Sequence, residues 1–179
     1  MIGICFTNGD SLMSSSDSNE VYFGTNPLCV AVPIEGESPF CLDMATTTFS
    51  WNKLQQYKSR GDELPYGVAV DASGEITTDA NVAKSLVPIG GYKGFGLAMV
   101  IDILCGLLSD MRLSSEIASM YNSPLTEKRY IGHFFIAIDI KKFVDTNRFK
   151  SRMREMCDSI RGFMSKVPGD PEKDTVKHR

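Results

Sequence analysis

The stretch "GGYKGFG" (residues 90–96) concentrates residue types that bind anions. Gly90, Gly91, Gly94 and Gly96 surround Lys93 just ahead of an apolar helical pattern, and unpaired N–H groups at a helix start beside a lysine suit a phosphate. The spacing excludes two common phosphate motifs. The dinucleotide fingerprint Gly-x-Gly-x-x-Gly needs the glycine gaps in the opposite order. The P-loop needs Gly-Lys-Ser/Thr, whereas Lys93 precedes Gly94 and no hydroxyl follows. Two explanations stay open: an anion site where Gly94 and Gly96 admit a ligand, or glycines that let the helix pack closely while Lys93 is solvated.

Asp43 poses a second question, because it interrupts the otherwise apolar "FCLDMAT". A buried carboxylate needs donors. It caps the following helix, the more frequent arrangement, or it accepts ligand hydroxyls. The five cysteines (Cys5, Cys29, Cys41, Cys105, Cys157) are odd in number and form no Cys-x-x-Cys pair. With only two histidines in the chain, zinc-ligand spacing is absent. Four of the cysteines lie in apolar runs and read as small buried hydrophobes, which points to a reducing compartment. No Ser-His-Asp or Cys-His arrangement is readable. His133 lies in an apolar strand and reads as a core or sheet-face histidine, and His178 lies in the tail.

The elements that must hold these residues follow from periodicity. "MIGICFTN" reads as a strand, "GDSLMSSSDSNE" as an exposed loop, and "FGTNPLCVAVP" as a turn and second strand. Phe40–Met44 is strand-like; from about Thr46 the pattern of Phe49, Leu54 and Tyr57 suits a helix stopping at Gly61. "VAVDASGEITTD" predicts a hairpin turning at Ser73-Gly74, and "TTDANVAKSL" a short helix capped by Thr78 or Asp79. Leu97, Val100, Ile101, Leu104, Leu107 and Leu108 recur at helical spacing as one broad apolar face. "YIGHFFIAIDI" predicts a central strand covered on both sides. The last long segment predicts an amphipathic helix with Phe149, Met153, Met156, Ile160 and Phe163 on one face. The fold class is α/β (mixed α+β), a mixed sheet with helices packed on it. Residues 1–170 form the domain and 171–179 a polar tail.

Composition bounds the partners. The 179 residues are 42% hydrophobic and 23% charged with a net charge of −3, a globular chain without the basic face that nucleic acid or an anionic membrane requires. The longest apolar run, Leu97–Leu108, is broken by Asp102 and is too short for a bilayer span. Met1–Thr7 lacks the features of a signal peptide. The reading is of a cytoplasmic protein with a small ligand.

Taken in order, "MIGICFTN", "FGTNPLCVAVP", "FCLDMATTTFSWNK", "VDASGEITTD" and "LVPIGGYKGFGLAMVIDILCGLLS" resemble the type 2 malate/L-lactate dehydrogenase family along nearly the whole chain. The resemblance implies a non-Rossmann fold binding NAD or NADP and hydride transfer with a small 2-hydroxy or 2-keto acid. It also implies a homodimer. Carried over residue by residue, it places Phe40, Cys41, Leu42, Asp43, Met44 and Ala45 at the cofactor, with Tyr92 and Lys93 from "YKG" and Gly169, Asp170 and Pro171 from "VPGDPE". The simplest chemistry has Asp43 accepting from ribose hydroxyls and Lys93 meeting phosphate or ribose.

Departures from the family pattern matter equally. The family's Ser-His-Gly segment and second histidine, from which its acid/base comes, belong upstream of residue 1, and Gly9 stands where ureidoglycolate dehydrogenases have a serine near the cofactor. The expectation is the cofactor part of an enzyme on an incomplete chain, with no catalytic residue of its own. The alternative is a catalytically inactive relative that binds a nucleotide or dimerises.

Overall fold

The computed structural model describes residues 1–15, 19–164 and 166–171. His178 and the tail beyond Pro171 lie outside them. In chain order the strands are β1 (Ile2–Thr7), β2 (Met13–Ser14), β3 (Val21–Phe23), β4 (Leu28–Val32), β5 (Phe40–Met44), β6 (Ala69–Val70), β7 (Ile76–Thr77), β8 (Ser85–Leu86) and β9 (His133–Ile138). The helices are α1 (Trp51–Arg60), α2 (Tyr92–Asp102) and α3 (Thr146–Met164), and a π-helical turn (Ile103–Leu107) continues α2. Two compact units interleave in sequence: one takes Met1–Cys5, Leu28–Met44 and Phe135–Arg179, the other Phe6–Pro27 and Ala45–Phe134. A mixed α/β arrangement of sheets and packed helices results.

The first unit is built on the sheet of order β5-β4-β1-β9. Ile34, Cys157 and Val167 form its buried core, with Phe40, Met153 and Ile160 packed against them. Helix α3 therefore buries the Met153–Cys157–Ile160 stripe, while Met156 and Phe163 of the expected face are exposed. Strand β9 is an edge strand rather than a covered central one, and Phe135 is 70% exposed. Its apolar run could not reveal this, because periodicity says nothing about what lies over a face.

In the second unit, β2 pairs with β3 antiparallel and with β8 parallel, bringing Met13 opposite Leu86. Both side chains are fully buried, so the stretch expected as an exposed loop contains a core strand. Around α1 the core is Leu54, Leu64, Val68, Ala69, Ala80 and Leu86. Leu54 alone is worth about 1.5–3 kcal/mol of burial. Helix α1 begins at Trp51, not near Thr46, because Ser50 accepts from the Lys53 N–H at 3.2 Å. Upstream, the Thr46 N–H and Oγ1 both bond the Thr25 carbonyl at 2.9 Å, holding that residue outside the helix. Gly61, at φ 72°, closes α1 as a left-handed cap.

The β6–β7 hairpin turns through Ser73-Gly74 as the sequence predicts, with Gly74 at φ 86°. The short helix expected after it does not form. Asp79 Oδ1 accepts from the Asn81 N–H at 2.8 Å in a local turn, and the chain then extends into β8. Helix α2 buries only part of the expected face: Ile101 is in the core and Leu97 and Leu104 are half-buried. Gly94, Ala98, Ile101 and Asp102 are buried, with Cys105 beyond them, while Val100, Leu107 and Leu108 are exposed. At Gly94 only glycine fits, because the backbone there approaches the Ile89 and Thr46 backbone closely.

Candidate cofactor site

Strand β5 carries the first group of expected contacts. It pairs antiparallel with β4 in the register Cys29 opposite Asp43 and Ala31 opposite Cys41. Alternation puts Cys41 and Asp43 on one face and Phe40, Leu42 and Met44 on the other, where Phe40 joins the core. The Asp43 carboxylate is exposed and makes no hydrogen bond or ion pair with another described residue. The buried-carboxylate problem does not arise, and Ser50 does the capping once assigned to it. Both carboxylate oxygens remain available to hydroxyl donors.

The segment Val167–Pro171 lies against this strand in the same unit. Cys41 donates its N–H to the Pro168 carbonyl at 3.4 Å. A Cβ on Gly169, at φ 96°, would stand 3.1 Å from the Cys41 nitrogen, so close approach and a left-handed backbone both call for glycine. Asp170 holds the turn from within. Its Oδ2 accepts from the Val167 N–H at 3.0 Å and from Arg161 Nε at 2.9 Å, and its Oδ1 from Arg161 Nη2 at 2.8 Å. Arg161 also donates to Glu37 Oε1 at 3.0 Å. The Asp170 carboxylate is thus committed to shaping the turn.

Between strand and turn is a cleft of about 240 Å³ walled by Cys41, Leu42, Asp43, Lys166, Gly169 and Pro171. That is smaller than the roughly 300–1,000 Å³ of a complete small-molecule site and suits one fragment, such as a ribose. Lys166, passed over in the sequence, adds a cation to its wall. Only proximity in the fold distinguishes it from other surface lysines.

The second unit holds the remaining expected contacts. After Ala45 the chain runs beside the start of α2: the Thr46 carbonyl accepts from the Ile89 N–H at 2.9 Å, and Thr47 bridges to Pro88. Gly90 and Gly91 both have φ near 60° and build the turn into the helix. The N–H groups of Gly91, Lys93 and Gly94 bond the Pro88, Gly90 and Ile89 carbonyls at 3.2, 3.4 and 2.9 Å. Most first-turn donors are therefore used internally. Gly94 is a packing glycine, since a Cβ there would fall 2.4 Å from the Ile89 oxygen; one on Gly96 meets nothing within 4 Å. Tyr92 and Lys93 are exposed, and Lys93 has no ion-pair partner among the described residues.

Sequence reasoning missed a buried polar cluster in this unit. Asp102 accepts from Asn8 Nδ2 at 2.9 Å, from Ser114 Oγ at 2.9 Å and from the Ser114 N–H. Asn8 Oδ1 accepts from the Gly132 N–H at 2.9 Å, and Asn26 Nδ2 donates to the Ala98 carbonyl at 3.0 Å. The available signal was Asp102 itself, an acid inside an apolar helix. Asp10 is likewise buried, paired with Arg129 and accepting from the Met120 N–H at 3.0 Å. The one described histidine, His133, starts the edge strand and is exposed.

The whole chain, residues 1–179, matches the malate/L-lactate dehydrogenase family. The chain belongs to this family. Among its relatives, a malate dehydrogenase of Pyrococcus abyssi is 37% identical over 171 residues, covering 90% of this chain and 46% of the relative. A ureidoglycolate dehydrogenase (NAD(+)) of Escherichia coli K12 is 36% identical over 154 residues, covering 86% and 44% respectively. The sulfolactate dehydrogenase of Methanocaldococcus jannaschii superposes with a TM-score of 0.88 at 32% identity, over 100% of this chain and 53% of that one. This member of the malate/L-lactate dehydrogenase family thus spans about half the length of the curated relatives it matches. No described helix is long and apolar enough to cross a membrane.

Proposed function

We propose that this chain is the cofactor-binding part of an NAD(P)-dependent oxidoreductase that moves hydride between a nicotinamide and a small 2-hydroxy or 2-keto acid. The observation carrying the reading is the cleft in which Asp43, with both oxygens open, faces the Val167–Pro171 turn, in a chain of this family. Asp43 accepts from vicinal ribose hydroxyls, and Gly169 and Pro171 bound the same fragment; Lys93, carried by the second unit, is a separate cation suited to phosphate. Bound NAD or NADP supplies the hydride-transfer chemistry; the chain's residues bind and orient it. The reading gives the proton exchange to none of these groups: His133, the one described histidine, starts strand β9 and does not line the cleft. The exposed apolar side of α2, from Met99 and Val100 to Leu107 and Leu108, supports a homodimer.

Titration with NADH and NADPH, followed through the fluorescence of the single tryptophan, Trp51, tests the reading. Asp43→Ala should weaken binding about 10- to 100-fold, the worth of charge-assisted hydrogen bonds, and Lys93→Ala less. No binding at millimolar cofactor refutes the site. Reduction of a 2-keto acid by this chain alone would refute the reading that these residues bind the cofactor without exchanging the proton. Cofactor binding without turnover of any 2-hydroxy or 2-keto acid would favour the inactive nucleotide-binding relative.

A further inference from the structure

Cys29 and Cys41 belong to adjacent antiparallel strands and share a face of the β4–β5 ribbon, since Cys29 lies opposite Asp43 and Ala31 opposite Cys41. They form a diagonal pair. Strand twist shortens one diagonal of such a ladder and lengthens the other, and the two sulfurs lie 3.7 Å apart in hydrogen-bonding contact. A disulfide needs about 2.05 Å, so closing the gap asks for a shift of under 2 Å, within reach of small χ1 rotations. Both residues are half-buried, unlike Cys105 and Cys157, which are fully buried in the core. Cys41 also lines the cleft beside Gly169, which gives a small molecule a path to its sulfur.

We propose that Cys29 and Cys41 are a thiol pair that a small-molecule disulfide, such as oxidised glutathione, converts to a reversible intrachain disulfide. The Cys41 thiolate attacks one sulfur of the small disulfide, breaking its S–S bond and expelling one thiolate. The mixed disulfide places the small thiol in the cleft. The Cys29 thiolate then attacks Cys41 Sγ, forming the Cys29–Cys41 bond and expelling the second small thiolate. The two protons lost by the cysteines pass through solvent to the two leaving thiolates. Two protein thiols are oxidised and one small disulfide is reduced to two thiols. Burial, the neighbouring Cys41 and the Asp43 charge push the Cys29 thiol up to about 11. Because only the thiolate attacks, ring closure accelerates as the pH rises from about 7 to 9.

The test incubates the full chain with glutathione disulfide, alkylates the remaining thiols, and maps peptides by mass spectrometry. The expected result is a Cys29–Cys41 linked peptide, loss of two of the five alkylatable thiols, and full recovery after dithiothreitol. Cys29→Ser should trap a stable glutathione adduct on Cys41, and Cys41→Ser should leave Cys29 alkylatable, with circular dichroism confirming that each variant is folded. Five alkylated thiols after oxidation, a link from Cys29 to Cys5, or closure insensitive to pH would overturn the proposal. The readout involves no cofactor, so its failure is separate from failure of the proposed function.

Discussion

Two glycines half a turn apart in α2 answer to opposite forces, and substituting each by alanine separates them. A Cβ on Gly94 would stand 2.4 Å from the Ile89 oxygen, 2.6 Å from its nitrogen and 2.8 Å from the Thr46 oxygen, whereas one on Gly96 has nothing within 4 Å. Both positions have ordinary helical backbone, so alanine gains about 0.8–1 kcal/mol of helix propensity at each. At Gly96 that is the whole effect, a stabilisation of about 0.5–1 kcal/mol. At Gly94 the added methyl collides with backbone atoms already engaged in the Gly94-to-Ile89 and Ile89-to-Thr46 hydrogen bonds. Overpacking costs about 1–3 kcal/mol, occasionally more, and fixed backbone puts this site at the upper end. Net of propensity, Gly94→Ala should lose about 2 kcal/mol. With a urea slope of about 1–3 kcal/mol per molar, the midpoint falls by about 1–2 M while that of Gly96→Ala rises slightly. Equal midpoints for Gly94→Ala and the parent, or a greater loss at Gly96, would refute the packing argument.

Asp102→Ala should cost about 3 kcal/mol in urea unfolding, because it strands the buried Asn8 and Ser114 donors; a loss below about 1 kcal/mol would deny the cluster its structural role. Arg161→Ala should weaken cofactor binding without touching the cleft, by releasing the Asp170 carboxylate that folds the turn. Arg161→Lys should rescue poorly, since one ammonium cannot replace the two-pronged grip on Asp170, and full rescue by lysine would refute this. The Asp71 carboxyl is held below its ordinary 3.8 chiefly by the Ser73 hydroxyl and N–H. A depressed carboxyl stabilises the fold above its unfolded value and loses that contribution as pH falls through the folded one. The β6–β7 hairpin should therefore loosen only in acid below about 3.8. Loosening of its amides between pH 5 and 7 by NMR would contradict this.

Features set by short-range chemistry were legible in the sequence. Strand β5 has the bounds its residues imply, the hairpin turns at Ser73-Gly74, and Gly61 ends α1, because each rests on local alternation or a demanded φ. Features decided by what covers a surface were not. The Met13–Ser14 strand sits inside a polar stretch, and only its pairing with Leu86 shows it to be core. Strand β9 and the outer face of α2 are as apolar as any core, yet exposed. At the candidate site, motif resemblance named the β5 and Val167–Pro171 segments, which the structure brings together in one cleft, but not the contacts within them. Asp170, expected at the cofactor, spends its carboxylate on Arg161, a residue nine positions away that no motif marks.

The glycine–lysine segment shows why residue type and residue role diverge. A glycine-rich helix start suggests a nest of free N–H groups, but here the Pro88–Gly91 turn consumes the Gly91, Lys93 and Gly94 donors. Little of the helix dipole's positive end is presented as open donors, and attraction for a phosphate at this point must come from the Lys93 ammonium. An exposed ammonium is a mobile, strongly hydrated point charge that salt screens. Such a charge can supply encounter and neutralisation, not geometry. On the proposed reading, orientation of the ribose falls to groups held by backbone: Asp43, fixed on a paired strand, and Gly169, fixed by the Asp170–Arg161 clamp. Of the glycines of "GGYKGFG", Gly90 and Gly91 build the turn and Gly94 serves the packing of the helix that carries Lys93, while a Cβ on Gly96 would meet nothing within 4 Å.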